Sequence, residues 1–249
     1  MKLTARSQTV VKQNYALITG DGFVNSVVPG WSNCVVNVVI NEAMGADFCQ
    51  QLVTLGPTSS LKGSTQVSEF FIYAIEGQAQ LQVEDQSYAL KAGSYVWLPP
   101  GTANYTIDSA AENTQLLTFQ KVYEELEDIS IPALYHGHAD DIQQDIYLED
   151  PQLLMQNLLP YELGFDMAVN IFTYLPGGNL PFVETHVMEH GLTYLSGQGI
   201  YRLDDDWYHV GKGDHIWMAP YCPQWFGALG DSPSAYIYYK NVNRFSIEQ

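Results

Sequence analysis

Basic residues are scarce in this sequence. Its 249 residues include 10 Lys and Arg against 28 Asp and Glu, which gives a formal net charge of −18. A surface of this charge repels phosphate backbones and anionic lipid headgroups. We therefore expect no nucleic-acid partner and no binding to a membrane surface, and the charge favours solubility.

Cysteines and long apolar runs are also few or missing. Cys34, Cys49 and Cys222 are too few and too scattered for a disulfide framework or a thiolate zinc site. No run approaches the roughly 18 apolar residues of a membrane-spanning helix. Met1–Gly20 carries positive charges but no apolar core, so we expect no secretory signal. These absences predict a cytoplasmic protein.

Apolar residues make up 46% of the sequence, which is enough for a sizeable core. They cluster in short stretches that are rich in β-branched and aromatic residues and are separated by glycine and proline. Clear examples are Val35–Ile40, Phe70–Ile75, Ala79–Val83 and Tyr95–Leu98. This pattern predicts an all-β sandwich or barrel. The one helix that we expect is a short one at Gln152–Leu159.

The two halves of the sequence repeat at an offset of 120 residues. Identical residues at this offset include glycine and proline, which form turns, and a tryptophan, which suits a core. Turn and core residues in one register indicate a tandem duplication. The identical residues of the first half are Gly77, Gln78, Asp85, Tyr88, Gly93, Trp97 and Pro100.

An acidic segment separates the two halves. From Val122 to Asp150 there are nine acidic residues and no Lys or Arg, as expected for a solvated connector. We therefore divide the chain into a first β-domain at residues 1–121, a connector at 122–157 and a second β-domain at 158–249.

The segment Glu184–His190 concentrates candidate metal ligands. Side chains alternate along a strand, so Glu184 and His186 would lie on one side, together with His190 if the strand continues. A carboxylate with two imidazoles suits Mn, Fe, Ni or Zn. A lone histidine in a strand is more often structural, but two with a glutamate at this spacing favour metal binding. Glu189 should face the other way, on the surface or behind the ligands.

These residues carry a resemblance to the cupin superfamily. Glu184–His190 with the following Gly197 resembles the first cupin motif, and Gly213–Gln224 resembles the second. Gln224 occupies the position of the last metal-binding histidine in a typical cupin. In the first half, Gly93–Asn104 matches the second motif with the same spacing. The resemblance implies an all-β fold of two tandem cupin barrels, a bicupin.

The repeat predicts a metal in the second half only. Each candidate ligand of the second half has a counterpart 120 residues earlier, and none of the counterparts is charged or an imidazole. One of them is a phenylalanine, whose ring would fill the site. The counterparts of Glu184, His186, His190 and Gln224 are Ser64, Gln66, Phe70 and Asn104.

Within the superfamily, the sequence resembles the (S)-ureidoglycine aminohydrolase family of purine and allantoin degradation. The stretches that carry this resemblance include Glu184–His186, Leu195–Tyr201 and Tyr238–Lys240. The resemblance implies hydrolysis of (S)-ureidoglycine to (S)-ureidoglycolate with release of ammonia. It further implies a homo-oligomer and Mn²⁺ as cofactor, held by Glu184, His186, His190 and Gln224.

The same resemblance implies residues that contact the substrate. Lys240 would supply a positive charge toward the substrate carboxylate, and Tyr201 and Tyr236 would supply hydroxyl donors. Tyr236, Tyr238 and Lys240 alternate along one stretch, so they would share a face of a strand. A tyrosine in a β-protein is usually a packing residue, whereas a lysine in an apolar strand needs an anionic partner or ligand.

Two alternatives remain open from the residues. The chain is also compatible with another metal-dependent bicupin enzyme, of the dioxygenase or decarboxylase type. Such enzymes generally use three histidines and one glutamate, often in both halves, so Gln224 and the emptied first half argue against them. A non-catalytic cupin that binds a small molecule is the second alternative, and the intact Glu184, His186 and His190 argue against it.

Overall fold

The structure, a computed structural model, describes residues 8–109 and 111–244. Lys2 and Arg6, two of the charges behind the expectation of no secretory signal, lie outside these residues. Strands dominate the described chain, and its helices are single 3₁₀ turns. No helix among the described residues is long and apolar enough to cross a membrane. The 3₁₀ turns are Gly20–Gly22, Glu42–Met44 and Ala139–Asp141.

The prediction of an all-β chain is confirmed, and the four predicted stretches lie within strands. The strands of the first half are β1 (Val10–Val11), β2 (Tyr15–Ile18), β3 (Asn25–Ser26), β4 (Trp31–Ile40), β5 (Cys49–Gly63), β6 (Ser68–Glu76), β7 (Gln78–Val83), β8 (Gln86–Lys91), β9 (Ser94–Leu98), β10 (Tyr105–Asp108) and β11 (Thr114–Val122). Those of the second half are β12 (Tyr135–His138), β13 (Asp145–Tyr147), β14 (Asp150–Asn157), β15 (Met167–Tyr174), β16 (His190–Ser196), β17 (Gln198–Leu203), β18 (Asp206–Gly211), β19 (His215–Met218), β20 (Gln224–Leu229) and β21 (Ser234–Asn241).

The predicted helix at Gln152–Leu159 is wrong, because β14 covers most of this segment. Leu153 pairs with Tyr174 of β15, and Asn157 pairs with Asn170. The side chain of Leu153 is fully buried in the core. Pairing with a neighbouring strand therefore overrides a weak local preference for helix.

The strands repeat at the offset that the sequence predicts. Gln78–Val83 corresponds to Gln198–Leu203, and each of these strands follows a glycine in the left-handed region. Gly77 has φ +77° and Gly197 has φ +71°, and a Cβ at either position would lie 2.5 Å from a neighbouring residue. Only glycine combines this backbone conformation with this close approach.

Each half builds a β-barrel around its own hydrophobic interior. A ten-stranded sheet forms the first barrel, with order β12-β9-β6-β11-β5-β10-β7-β8, with β4 beside β5 and with β3 beside β4. The second barrel combines an eight-stranded sheet of order β1-β2-β19-β16-β21-β15-β14-β13 with a three-stranded sheet of order β18-β17-β20. These counts refer to residues 8–109 and 111–244.

The two barrels exchange their first strands, so the pairing departs from the division at residues 121 and 157. Strand β2 pairs with β19 of the second barrel, where Ala16 lies opposite Trp217. Strand β12 pairs with β9 of the first barrel, where Tyr135 lies opposite Trp97. The acidic segment 122–157 is therefore not a plain connector, because it contributes β12, β13 and β14 to the sheets.

A third hydrophobic core lies between the barrels. The alternating side chains of β6 are buried on both faces: Phe70 packs inside the first barrel, whereas Phe71 packs between the barrels. On the equivalent strand β16, His190 faces the interior of the second barrel and Thr193 faces the first. Double burial accounts for the uninterrupted apolar run of β6.

Candidate metal centre

A cavity of about 100 Å³ opens inside the second barrel. All the residues predicted as metal ligands or substrate contacts line it, and the elements that bring them together are β16, β17, β20, β21 and the loop before β16. Its lining includes Glu184, His186, His190, Tyr201, Gln224, Tyr236 and Lys240 from the predicted set. This volume suits a small molecule.

The segment Glu184–His190 is not the continuous strand that we expected. Glu184 forms an isolated antiparallel bridge with Gln224, with backbone hydrogen bonds of 2.8 and 2.9 Å. His186 lies in a loop, where its carbonyl accepts a hydrogen bond from the amide of Tyr221 at 2.7 Å. The strand β16 begins only at His190. All three side chains line the same cavity, Glu184 from the isolated bridge, His186 from the loop and His190 from the start of β16, an arrangement that strand alternation alone does not describe.

The two histidines point their Nε2 atoms at each other across 3.0 Å. On the other side of each ring, Nδ1 of His186 lies 3.1 Å from the Met188 carbonyl, and Nδ1 of His190 lies 3.4 Å from the Tyr239 carbonyl. Carbonyl oxygens only accept hydrogen bonds, so Nδ1 carries the proton in both rings. Both Nε2 atoms therefore present lone pairs.

Electrostatics keeps both imidazoles neutral. Burial lowers the pKa of His186 and lowers that of His190 well below its usual value. The nearby ammonium of Lys240 lowers both further. Two neutral acceptor nitrogens that face each other without a proton between them repel, unless a cation lies against both lone pairs.

Gln224 lies next to the two imidazoles and is the third side chain here that could bind a metal ion. Its Nε2 lies 3.0 Å from Nε2 of His186, and its Oε1 accepts a hydrogen bond from the Tyr201 hydroxyl at 3.2 Å. The Tyr201 hydroxyl can donate or accept, so rotation of the amide retains this hydrogen bond and turns Oε1 toward the histidines. Gln224 can therefore offer either a hydrogen-bond donor or an oxygen ligand.

Glu184 lies on the same wall of the cavity. Burial raises the pKa of its carboxyl, and the Lys240 ammonium and the Tyr147 hydroxyl oppose this shift. Among residues 8–109 and 111–244, no group of three or more His, Cys, Asp or Glu side chains is close enough to hold a metal ion. The potential metal ligands that are already in contact are the imidazoles of His186 and His190 and the amide of Gln224. Their lone pairs and the adjacent carboxylate fit a divalent ion that accepts nitrogen and oxygen ligands.

Lys240 is the one Lys or Arg among the residues that line this cavity. Its Nζ lies 5.9 Å from the centre of the Tyr238 ring and 6.0 Å from that of Tyr161. Burial lowers its pKa, and the Glu184 carboxylate opposes the shift. None of the ion pairs in the described part of the chain involves Lys240. A half-buried ammonium without an ion-pair partner is suited to bind an anionic ligand.

The two predicted tyrosines are buried hydrogen-bonding groups. Tyr201 is 1% exposed and Tyr236 is 5% exposed. The hydroxyl of Tyr236 lies 2.9 Å from that of Tyr174. Burial raises the pKa of both Tyr201 and Tyr236, so both keep their protons and remain donors at neutral pH.

Sequence reasoning missed Tyr147, which lines the cavity, and Tyr161, which lies next to Lys240. Tyr147 comes from the acidic segment, where no strand was expected, and its hydroxyl faces Glu184. Tyr161 precedes β15 and exposes its ring beside Lys240. No motif singles out these tyrosines. Had a strand been predicted at residues 145–147, it would have indicated that Tyr147 takes part in a sheet.

The equivalent position in the first barrel is closed. Phe70 is 2% exposed and stacks on Tyr105 with ring centres 5.4 Å apart. It belongs to the apolar interior of the first barrel, together with Leu98 and Ile107. The ring of Phe70 fills the space that His190 borders in the second barrel.

A curated relative covers almost the whole chain. The (S)-ureidoglycine aminohydrolase of Escherichia coli (strain K12) is 36% identical over 246 residues, which cover 97% of this chain and 94% of that protein. The chain belongs to the (S)-ureidoglycine aminohydrolase family. No family model matches it.

Solved structures confirm the bicupin fold of this family member. The crystal structure of protein Ylba from E. coli superposes with a TM-score of 0.87 and 34% identity, and the match covers 96% of both chains. A cupin 2 conserved barrel domain protein from Leptotrichia buccalis superposes with a TM-score of 0.64 over 91% of this chain and 96% of that one. At 15% identity, this second match is evidence for the cupin fold alone.

Proposed function

We propose that this protein is a manganese-dependent (S)-ureidoglycine aminohydrolase of allantoin and purine degradation. Water replaces the α-amino group of (S)-ureidoglycine: the C–N bond breaks, a C–O bond forms, and (S)-ureidoglycolate and ammonia leave. Membership of the family supports the reaction. The observation that carries the proposal is the pair of Nε2 lone pairs, 3.0 Å apart, in a small cavity that also contains an unpaired ammonium.

Glu184, His186, His190 and Gln224 would hold the metal. Two imidazole nitrogens and two side-chain oxygens suit Mn²⁺, and an amide oxygen in place of a third imidazole shifts the preference away from Zn²⁺. When bound, the ion supplies a positive charge that orients the substrate and stabilises developing negative charge. The carbonyls of Met188 and Tyr239 hold the two imidazoles in the ligand tautomer.

Lys240 would bind the carboxylate of the substrate. Its ammonium lines the cavity and has no carboxylate in direct ion-pair contact, so a substrate carboxylate could form that contact. The rings of Tyr161 and Tyr238 lie about 6 Å from the ammonium and contribute weak cation–π attraction. This contact fixes one end of the substrate and leaves the amine-bearing carbon free to face the histidines and Gln224.

Tyr201 and Tyr236 would donate hydrogen bonds to the substrate. Both hydroxyls line the cavity, and their raised pKa values keep them protonated. Tyr201 also contacts Gln224, so it links the metal-binding group to the substrate pocket. The surrounding aromatic rings, among them Phe172, limit the access of bulk water.

The charge and the cavity also bear on the partners of the protein. The formal charge of −18 disfavours nucleic acids and anionic membranes as partners, and the small cavity favours a small-molecule substrate. We propose a cytoplasmic homo-oligomer that assembles through the exposed sheet edges, as the family resemblance implies.

The function is tested by ammonia release from freshly generated (S)-ureidoglycine. Protein stripped of metal is assayed with and without Mn²⁺, and the spontaneous decay of the substrate is subtracted. We expect release well above this background only with Mn²⁺, and (S)-ureidoglycolate as the co-product. Bound metal without acceleration would reject the substrate, and oxygen consumption with other small acids would favour a dioxygenase.

A pair of variants ties the activity to the second barrel. Gln224→Ala removes a proposed ligand, whereas Asn104→Ala makes the same kind of change at the equivalent, exposed position of the first barrel. We expect Gln224→Ala to lower Mn²⁺-dependent release and Asn104→Ala to leave it unchanged. Equal rates in both variants would remove Gln224 from the metal site.

A further inference from the structure

Residues 45–50 of the first half lie across the back of the sheet that carries the candidate ligands. The ring of Phe48 packs on that of Tyr239 with centres 4.1 Å apart. The amide of Gln50 donates a hydrogen bond of 2.8 Å to the Thr193 hydroxyl. These contacts reach β21 and β16 on the face opposite the cavity.

Residues 45–50 also contact Glu189, the residue just before His190 and the start of β16. Its carboxylate accepts a hydrogen bond from the Trp217 indole at 3.2 Å and faces the backbone amide of Asp47, with N···O distances of 3.2 and 3.4 Å. Its own backbone N–H donates to the side chain of Asn241 at 2.9 Å. Glu189 is 1% exposed, so these donors replace water around it.

The contacts of Glu189 hold the backbone next to His190 and Lys240, two residues that line the candidate metal centre. The next residue, His190, begins β16 and lies opposite Lys240 on β21 and Met218 on β19. Asn241 directly follows Lys240. One buried carboxylate and its backbone amide therefore tie the strand of a proposed ligand to the strand of the proposed substrate-binding lysine.

The first barrel contains the same pair in a different setting. Glu69 accepts a hydrogen bond from the Trp97 indole at 2.7 Å, and both residues lie 120 positions before Glu189 and Trp217. The counterpart of Asn241 is Lys121, whose ammonium lies 3.8 Å from the Glu69 carboxylate. No candidate ligand follows Glu69, since the next residue is Phe70. The glutamate–tryptophan pair is thus common to both barrels, but only in the second barrel does a candidate metal ligand follow the glutamate.

We propose that Glu189 is a positioning residue, through which the first barrel sets the geometry of the metal site in the second. The first barrel, which has no candidate ligands of its own, supplies the amide of Asp47 and the packing of residues 45–50. This inference rests on the proposed function, because it takes the second-barrel site to hold Mn²⁺.

The test measures Mn²⁺ binding alone, by calorimetry on the full-length protein, together with kcat and KM for ammonia release. Removal of a direct hydrogen-bond partner of a metal ligand typically weakens metal affinity about 10- to 100-fold. Glu189 acts one residue away, through the backbone of His190, so we expect Glu189→Ala and Trp217→Phe to weaken Mn²⁺ binding by about 10-fold, the lower end of that range. Glu189→Gln, which retains an acceptor for the indole and the amide, should recover part of the affinity.

Trp97→Phe is the matched control, since it removes the same indole hydrogen bond in the first barrel. We expect it to retain wild-type Mn²⁺ affinity while its melting temperature falls as in Trp217→Phe. Wild-type affinity in both Glu189→Ala and Trp217→Phe would overturn the inference, and so would an equal loss in Trp97→Phe. If the wild-type protein binds no Mn²⁺, both the inference and the proposed cofactor fail. Binding without turnover of ureidoglycine rejects the substrate and leaves the test of Glu189 intact.

Discussion

Replacing Lys240 with methionine separates substrate binding from metal binding. Methionine retains the length and the apolar character of the lysine stem but removes the charge. The ammonium has no ion-pair partner among the described residues and lines the cavity beside His190. Its loss should therefore leave the barrel folded and remove the attraction for the substrate carboxylate.

The expected rise in KM follows from the charge interaction that the substitution removes. Two unit charges 4 Å apart attract by about 4 kcal/mol at an effective dielectric constant of about 20, before desolvation is subtracted. Hydrogen bonds to charged groups contribute about 1.5–3 kcal/mol net. Since about 1.4 kcal/mol corresponds to a factor of ten, KM should rise about 10- to 150-fold in Lys240→Met.

In contrast to its effect on substrate binding, Lys240→Met should not weaken Mn²⁺ binding. The Lys240 ammonium lowers the pKa of His186 and of His190, which means that it disfavours positive charge at the imidazoles. Lys240→Met should therefore bind Mn²⁺ as tightly as the wild type or more tightly.

The assay combines KM from ammonia release with Mn²⁺ affinity from calorimetry. Lys212→Met, an exposed lysine in the turn between β18 and β19, is the control because it changes the net charge equally. The reasoning is refuted if Lys240→Met loses Mn²⁺, which would indicate a structural role, or if its KM equals that of Lys212→Met.

Three further variants test other parts of the account. Gln224→His should retain metal but turn over more slowly or prefer a different ion, measured as rates with Mn²⁺ and Zn²⁺; unchanged Mn²⁺ affinity and turnover would exclude Gln224 as a ligand. Gln66→His with Phe70→His should create no activity in the first barrel, because a charged ligand is still missing there; turnover after loss of the second-barrel ligands would contradict this. Burial raises the pKa of Glu69 well above its usual 4.5, so the folded state holds this proton more tightly than the unfolded chain. The free energy of unfolding should therefore fall as pH rises from 4.5 through the raised pKa, and denaturant titrations should show a weaker fall in Glu69→Gln.

Much of the fold could be predicted because strands and turns leave local signals. The glycines at 77 and 197 mark equivalent turns, and the offset of 120 residues recurs in the strand bounds. The exchange of β2 and β12 between the barrels could not be predicted, since strand pairing depends on contacts far apart in the chain. The acidic composition of residues 122–157 also hid three strands, because residues at a sheet edge can be charged and still pair.

The candidate ligands could be found from residue types and the repeat, but their arrangement could not. Strand alternation placed Glu184 and His186 on one side of a continuous strand, whereas in the structure they line one cavity from an isolated bridge and a loop. Tyr147 and the buried contacts of Glu189 come from segments distant in sequence. Their contributions depend on how the two barrels pack, and no short motif encodes that packing.

The proposed function requires a single metal site, in the second barrel. Its most direct test is to titrate metal-stripped protein with Mn²⁺ while both bound metal and ammonia release from (S)-ureidoglycine are recorded. We expect the rate to rise linearly and to saturate at one Mn²⁺ per chain. Full activity without metal, or saturation only at two Mn²⁺ per chain, would contradict it.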